Sequence, residues 1–165
     1  PPGESYNCDQ EGAPFLQGKA EFGPYCPTIR QYTTQPSKMA REGSILMSIR
    51  APVGDVNMAQ DDYCIGRGLA SILSDKMDMT YLYYYLNEIK PYIESLGTGS
   101  TFKAISGSIL RSIPIVEPPL GLQIEFHKIE ARHRALIELQ SFSTTNVDSI
   151  STSLTSKAFT GELVA

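Results

Sequence analysis

An α+β fold is predicted: a globular mixed α/β domain with a twisted sheet, followed by a long C-terminal coiled-coil helix. Three observations predict it. Short segments before residue 73 alternate with the period of a strand, a helical period opens at Leu82, and an unbroken heptad pattern runs from Leu122 to Leu154. The 165 residues, 41% hydrophobic and 19% charged, suffice for one domain with a proper core and exclude disorder and collagen-like structure. The expected division is 1–117 for the domain and 118–165 for the helix.

Residues 1–43 are rich in Pro, Gly and Tyr and hold no sustained period, which reads as loops with short strands, one around Ala13 to Gln17. A long irregular region in a compact domain marks a binding surface. In SILMSIR (Ser44 to Arg50), Ile45, Met47 and Ile49 alternate with Leu46, Ser48 and Arg50, as in a strand. Pro52 and Gly54 supply a turn, and VNMAQ returns as a hairpin partner. A third strand is expected within Tyr63 to Leu73, where Gly66 and Gly68 flank Arg67 and indicate a bulge or the close approach of another backbone.

Asp78 or Thr80 caps a helix whose apolar face is Leu82, Leu86, Ile89, Ile93 and Leu96, with a kink expected at Pro91. Tyr81, Tyr83, Tyr84 and Tyr85 surround it and are read as packing at the edge of the core. GTGS (Gly97 to Ser100) ends the helix, and Arg111 to Val116 reads as a last strand before the prolines stop it. Pro119 suits a first helical position. Leu122, Phe126, Ile129, His133, Leu136, Gln140, Ser143, Val147, Ile150 and Leu154 then follow at alternating spacings of 4 and 3, a coiled-coil seam. About 37 residues at ~1.5 Å each give a rod of roughly 55 Å that needs a partner helix. His133, Gln140 and Ser143 weaken the seam but fix register, and the Ser/Thr-rich half from Ser141 depends most on the partner.

No catalytic constellation emerges. His127 and His133 are the only histidines and lack ligands at metal spacing; no GxSxG, HExxH or Walker loop occurs. GRG at Gly66 to Gly68 and GTGS lack the strand-to-helix setting of a phosphate fingerprint. EPPL at Glu117 to Leu120 lacks the aromatic and the Asn or Asp of an adenine-methyltransferase tetrapeptide. Cys8, Cys26 and Cys64 show neither metal nor redox spacing, so packing in a reducing cytoplasm is expected. No apolar run is long enough to cross a bilayer, so no membrane association is expected. The net charge of −4 argues against coating nucleic acid by bulk attraction, yet Arg30, Lys38, Arg41 and Arg50 face only Glu42 between residues 30 and 50. A polyanion contact must therefore be a patch. Gly97, Thr98, Gly99, Ser100 and Thr101, beside Lys103, can meet a phosphate or form a structural loop. The chain opens at Pro1 in loop-like sequence and is expected to be cut from something longer.

EGAPFLQGKAEFG (Glu11 to Gly23), GSILMSIRAPVGD (Gly43 to Asp55), CIGRGLASI (Cys64 to Ile72), LGTGSTFKAISGSILRSIPIVEPP (Leu96 to Pro119), the following Gln123 and AFTGEL (Ala158 to Leu163) occur in an order that is specific although no piece is diagnostic alone. In that order the chain resembles the specificity subunit of type I restriction-modification systems, with one target recognition domain followed by one conserved helical region. The resemblance covers essentially the whole chain. It implies a DNA-reading subunit without catalysis of its own, reading half of a split target and recruiting methyltransferase (modification) and restriction/translocase subunits. It also implies no cofactor on this chain, with S-adenosylmethionine on the methyltransferase and ATP and Mg on the restriction partner. Where the family holds two recognition domains apart with two antiparallel helices, this chain has one of each and lacks the short opening segment, so it is expected to be an excised half or part of a half-subunit that dimerises.

The residue types agree. Arg forks onto guanine and Gln onto adenine, whereas Lys mainly neutralises phosphate. Candidate DNA contacts are Gln17, Lys19, Arg30, Tyr32, Lys38 and Arg41 on the variable surface, supported by Arg50, Arg67, Ser100, Thr101 and Lys103. Arg50 could instead pair with Asp55 at a strand edge, and Arg67 could be structural. The competing reading is an oligomerisation or scaffold module without DNA readout.

Overall fold

The computed structural model describes residues 1–99 and 103–160, and within the last helix the side chains of residues 138, 141–146, 149 and 154 lie outside that description. Two compact units are present, Pro1–Gln123 and Ile124–Ala165.

Among the described residues of the first unit, eight strands precede the α-helices: β1 (Tyr6–Asn7), β2 (Ala13–Leu16), β3 (Gln31–Thr33), β4 (Met39–Ala40), β5 (Ile45–Ser48), β6 (Val56–Met58), β7 (Tyr63–Ile65) and β8 (Leu69–Ile72). They form two sheets, ordered β1-β3-β2-β7-β4 and β6-β5-β8. The alternation in β5 is a division between two cores. Ile45 and Met47 enter one with Val56, Leu82, Leu86 and Ile93, while Leu46 enters the other with Leu16, Tyr63, Ile65 and Leu69. β5 is thus buried on both faces, and the hairpin with β6 forms as read, with Leu46 opposite Asn57.

The single strand expected within Tyr63 to Leu73 is two strands in different sheets, β7 and β8, because the chain crosses between sheets at Gly66–Gly68. Gly66 is required there: a Cβ would stand 2.4 Å from the Gln17 carbonyl oxygen, closer than any side chain allows. The expectation of a close backbone approach holds. Of the cysteines, Cys64 packs in the core, Cys26 is half-buried and Cys8 is exposed, so packing does not account for Cys8.

Asp78 caps α1 (Met79–Glu88), its carboxylate accepting from the Tyr81 N–H at 2.9 Å. The kink expected at Pro91 is a break: α1 stops before Ile89, and α2 (Lys90–Ser95) opens with Pro91 in its first turn, where a missing N–H costs nothing. Leu82, Leu86 and Ile93 are buried, and Ile89 and Leu96 pack against the same core. Tyr83 is buried at the core edge as expected.

The last strand at Arg111 to Val116 does not form. Ser106 accepts from the Ile109 N–H at 3.2 Å and caps a short helix, α3 (Gly107–Ser112), which takes up Arg111. Ile113 then drops into the core at 7% exposure. Beyond it, tyrosine hydroxyls satisfy the backbone in place of a neighbouring strand: Tyr85 donates to the Pro114 carbonyl at 3.3 Å and Tyr81 to that of Val116 at 3.2 Å.

α4 (Leu120–Thr160) starts just after Pro119, whose carbonyl accepts from the Leu122 N–H at 2.9 Å. Gln123, 1% exposed, holds this first turn to the rest of its unit. It accepts from the Asp78 N–H at 2.9 Å and donates to the Pro118 carbonyl at 2.7 Å. Of the seam, Leu122, Ile129, Leu136, Val147 and Ile150 are each more than half exposed, and Phe126, His133 and Gln140 are exposed too. The side chains of Ser143 and Leu154 lie outside the described residues. Among the described residues, no helix is long and apolar enough to cross a membrane.

Candidate nucleic-acid interface

Four strands of the larger sheet end side by side. β2 and β7 run parallel with Leu16 opposite Ile65, and the Gly66 N–H donates to the Leu16 carbonyl at 2.8 Å, so Gln17 and Gly66 leave the sheet together. β3 is antiparallel to β2 with Gln31 opposite Phe15, which brings Arg30, one residue earlier, to the same end. β4 is antiparallel to β7, and the Ile65 N–H donates to the Lys38 carbonyl at 2.8 Å, adding Lys38 to the row. The smaller sheet extends it. The Gly68 carbonyl accepts from the Ile49 N–H at 2.9 Å, the Ile49 carbonyl accepts from the Ile105 N–H at 3.0 Å, and Arg50 bridges Ala104.

One rim therefore collects Gln17, Lys19, Arg30, Lys38, Arg50, Arg67 and Lys103, all exposed. Tyr32 is left out, half-buried within β3 opposite Asn7 and Pro14. Arg41, just past β4, instead lines a cavity of about 490 Å³ with Lys38. Ser100 and Thr101 lie outside the described residues; Thr98 and Ala104, which flank them, exchange hydrogen bonds of 3.0 and 2.9 Å. Sequence reading missed Arg111, which lines the same cavity as Lys38 and Arg41. Its signal was Ser106, whose capping hydroxyl starts α3 and so places Arg111 in that helix's last turn.

Asp55 does not pair with Arg50. It takes Lys19 at 2.5 Å and Lys90 at 2.7 Å, tying the exit of β2 to α2. Lys19 is thereby partly neutralised, whereas Arg30, Arg50, Arg67 and Lys103 have no acidic partner among the described residues. Arg50 is presented by a turn that Ser48 closes, its hydroxyl donating to the Arg50 carbonyl at 2.9 Å and also to that of Pro52. Gln17, Lys19, Ala51 and Pro52 line an adjoining groove of about 540 Å³. Unpaired guanidinium groups at the exposed ends of paired strands can meet both phosphate oxygens and base edges.

Burial works against ionisation of Asp55, but the hydrogen bonds and charges of Lys19 and Lys90 outweigh it and hold the carboxyl below its ordinary range. A depressed carboxyl pKa contributes stability that is complete above the unfolded value of about 4 and is lost as pH falls through the folded value. Asp55→Asn should therefore flatten the acid limb of a plot of urea midpoint against pH. An acid limb as steep in the variant as in the wild type would show that the Lys19 and Lys90 contacts do not form in solution. Lys90 moves the other way, raised first by its hydrogen bond from the ammonium to Asp55, so its share is lost only as pH rises through that value.

Among the described residues no three His, Cys, Asp or Glu side chains gather as a metal site requires. Residues 28–144 match the family model described as type I restriction modification DNA specificity domain. The chain is 45% identical over 165 residues to a putative type I restriction enzyme MjaX specificity subunit of Methanocaldococcus jannaschii, covering 99% of this chain and 39% of that protein. Among solved structures it is similar to the HsdS subunit from Thermoanaerobacter tengcongensis, with a TM-score of 0.70, 36% identity, and coverage of 99% of this chain and 41% of that one. A chain described under complex assembly and conformational transition of the type I R-M system gives a TM-score of 0.73 at 36% identity, covering 96% and 41%. The chain thus spans about two fifths of the length of these relatives.

Proposed function

The chain belongs to the type I restriction modification DNA specificity family, and from that membership we propose that Pro1–Gln123 reads one half-site of double-stranded DNA while α4 serves assembly. The observation that carries the reading is the convergence of Gln17, Arg30, Lys38, Arg50, Arg67 and Lys103, drawn from six separate segments, on one exposed rim. Arg and Gln there supply forks for guanine and adenine, and the lysines supply phosphate contacts. The chain performs no chemistry itself and recruits methyltransferase and restriction subunits in the cytoplasm. S-adenosylmethionine then belongs to the first partner, and ATP with magnesium to the second. Selection from a random duplex pool by the chain with its methyltransferase tests this. Enrichment of one short sequence, with affinity that falls steeply with salt, is expected, whereas sequence-independent retention or none would leave only a scaffold.

The exposed seam of α4 supports a second recognition unit paired through this helix, either another copy of the chain or a second domain. Left alone, Leu122, Phe126, Ile129, Leu136, Val147 and Ile150 would each forgo roughly 1.5–3 kcal/mol of burial. The purified chain should sediment as a two-fold dimer. Pure monomer at micromolar concentration, with the helix intact by circular dichroism, would refute self-pairing.

A further inference from the structure

We infer that the cavity of about 490 Å³ between β4, β8 and α3 is a seat for one backbone phosphate of the bound duplex, with Arg111 as its principal ligand. The inference rests on the DNA-reading proposal and adds a site to it. Three cations line the cavity, Lys38 and Arg41 on either side of β4 and Arg111 at the end of α3, and none of the lining residues is acidic. Arg41 and Arg111 have no acidic partner among the described residues. Like charges lining one cavity repel one another, so the arrangement is stabilised by an anion between them.

The walls favour a fixed anion over a diffuse ion cloud. Ile49, Ala70 and Leu110 bring apolar surface up to the cations, lowering the local dielectric and strengthening each contact. Lys38 is held in place, its ammonium donating to the Leu69 carbonyl at 2.8 Å and keeping further N–H groups for a ligand. Gly107 faces the Arg111 guanidinium, where a Cβ would sit 3.6 Å from one of its nitrogens, so the absence of a side chain leaves that face uncovered. A guanidinium can then grip two oxygens of a tetrahedral phosphate while Lys38 and Arg41 act as point charges. Since Lys38 also belongs to the rim, the cavity lies where the reading surface continues, and a duplex on the rim carries its backbone past it. A phosphate seat fixes register without choosing bases.

The test uses the chain in complex with its methyltransferase and the duplex sequence that the wild-type complex selects. Each backbone phosphate in turn is replaced by an uncharged methylphosphonate, and affinities are measured for wild type, Arg111→Gln and Arg111→Lys. At one position neutralisation should cost the wild type about tenfold or more, as a charge-assisted contact does, and should cost Arg111→Gln clearly less, the remainder being what Lys38 and Arg41 still contribute. Arg111→Gln should lower the salt slope by about one, with the selected sequence unchanged and the circular dichroism intact, and Arg111→Lys should recover part of the affinity. Purely additive losses at every phosphate would overturn the site while leaving the DNA reading in place. Failure of the wild type to select any sequence would overturn both. Inorganic phosphate is titrated onto the complex without DNA, following the Arg111 Nε resonance. A saturating shift at low phosphate, with no non-additive position in the duplex, would assign the cavity to a free anion instead and overturn the backbone seat.

Discussion

Leu46→Ala is expected to cost about 2–5 kcal/mol, a large share of the roughly 5–15 kcal/mol that holds a domain together. Leu46 is fully buried at the middle of β5, and its side chain packs with Leu16, Tyr63, Ile65 and Leu69 on the face away from Ile45 and Met47. Removing it opens a cavity in the smaller core, where relaxation is limited because β5 is pinned on both edges by β6 and β8. The same core sits under the parallel pairing of Leu16 with Ile65, from which Gln17 and Arg67 project. Loss of Leu46 should therefore weaken the rim along with the fold. Ile129→Ala, on an exposed position of α4, should shift the unfolding of the monomer by no more than about 0.5 kcal/mol. Urea titration decides it, through a lowered midpoint with an unchanged slope; a midpoint within error of the wild type would mean that β5 is not the strand shared by the two cores.

The contrast between Leu46 and Arg111 shows what the amino-acid sequence made legible. Alternation along Ser44 to Arg50 located β5 and its hairpin, although β5 is buried on both faces, the case in which a continuous apolar run such as Ile45–Met47 marks a strand better than alternation does. A capping Asp and a 3.6-residue period located α1, and a heptad pattern located α4. The crossing at Gly66–Gly68 was visible as two glycines, but the pattern could not say that the residues on either side join different sheets, since each strand is too short to carry its own period. Arg111 to Val116 was read as a strand because Ile113, Ile115 and Val116 favour that state. The winning interactions, the Ser106 cap and two tyrosine hydroxyls from α1, come from outside the segment. The site shows the same division. Residue types nominated Gln17, Arg30, Lys38, Arg50, Arg67 and Lys103 one by one, while their gathering depends on β2 pairing with β7 and on Arg50 bridging Ala104. Pairings across 49 and 54 positions leave no local trace.

Neutralising Lys38, Arg50, Arg67 and Lys103 together as Gln should remove a large part of the salt dependence of DNA binding. Each phosphate neutralised by a protein cation contributes about −0.9 to the slope of log affinity against log salt, so four contacts carry between three and four units of slope by order of magnitude. Between 50 and 200 mM salt the wild-type complex should then lose roughly a hundredfold more affinity than the variant. Gln keeps hydrogen-bonding capacity on a shorter stem, and all four side chains are exposed, so the fold should be unaffected. Arg30→Ala alone should behave differently if its guanidinium forks onto a guanine: the salt slope changes little, while discrimination at one base pair falls by about 1–3 kcal/mol. Lys38→Ala should do the reverse, lowering the slope by about one at every sequence. Measuring affinity for the selected duplex and its single-base variants at several salt concentrations separates the two roles. An unchanged slope in the fourfold variant would remove DNA from this rim, and a uniform loss across all base variants for Arg30→Ala would reduce Arg30 to a phosphate contact.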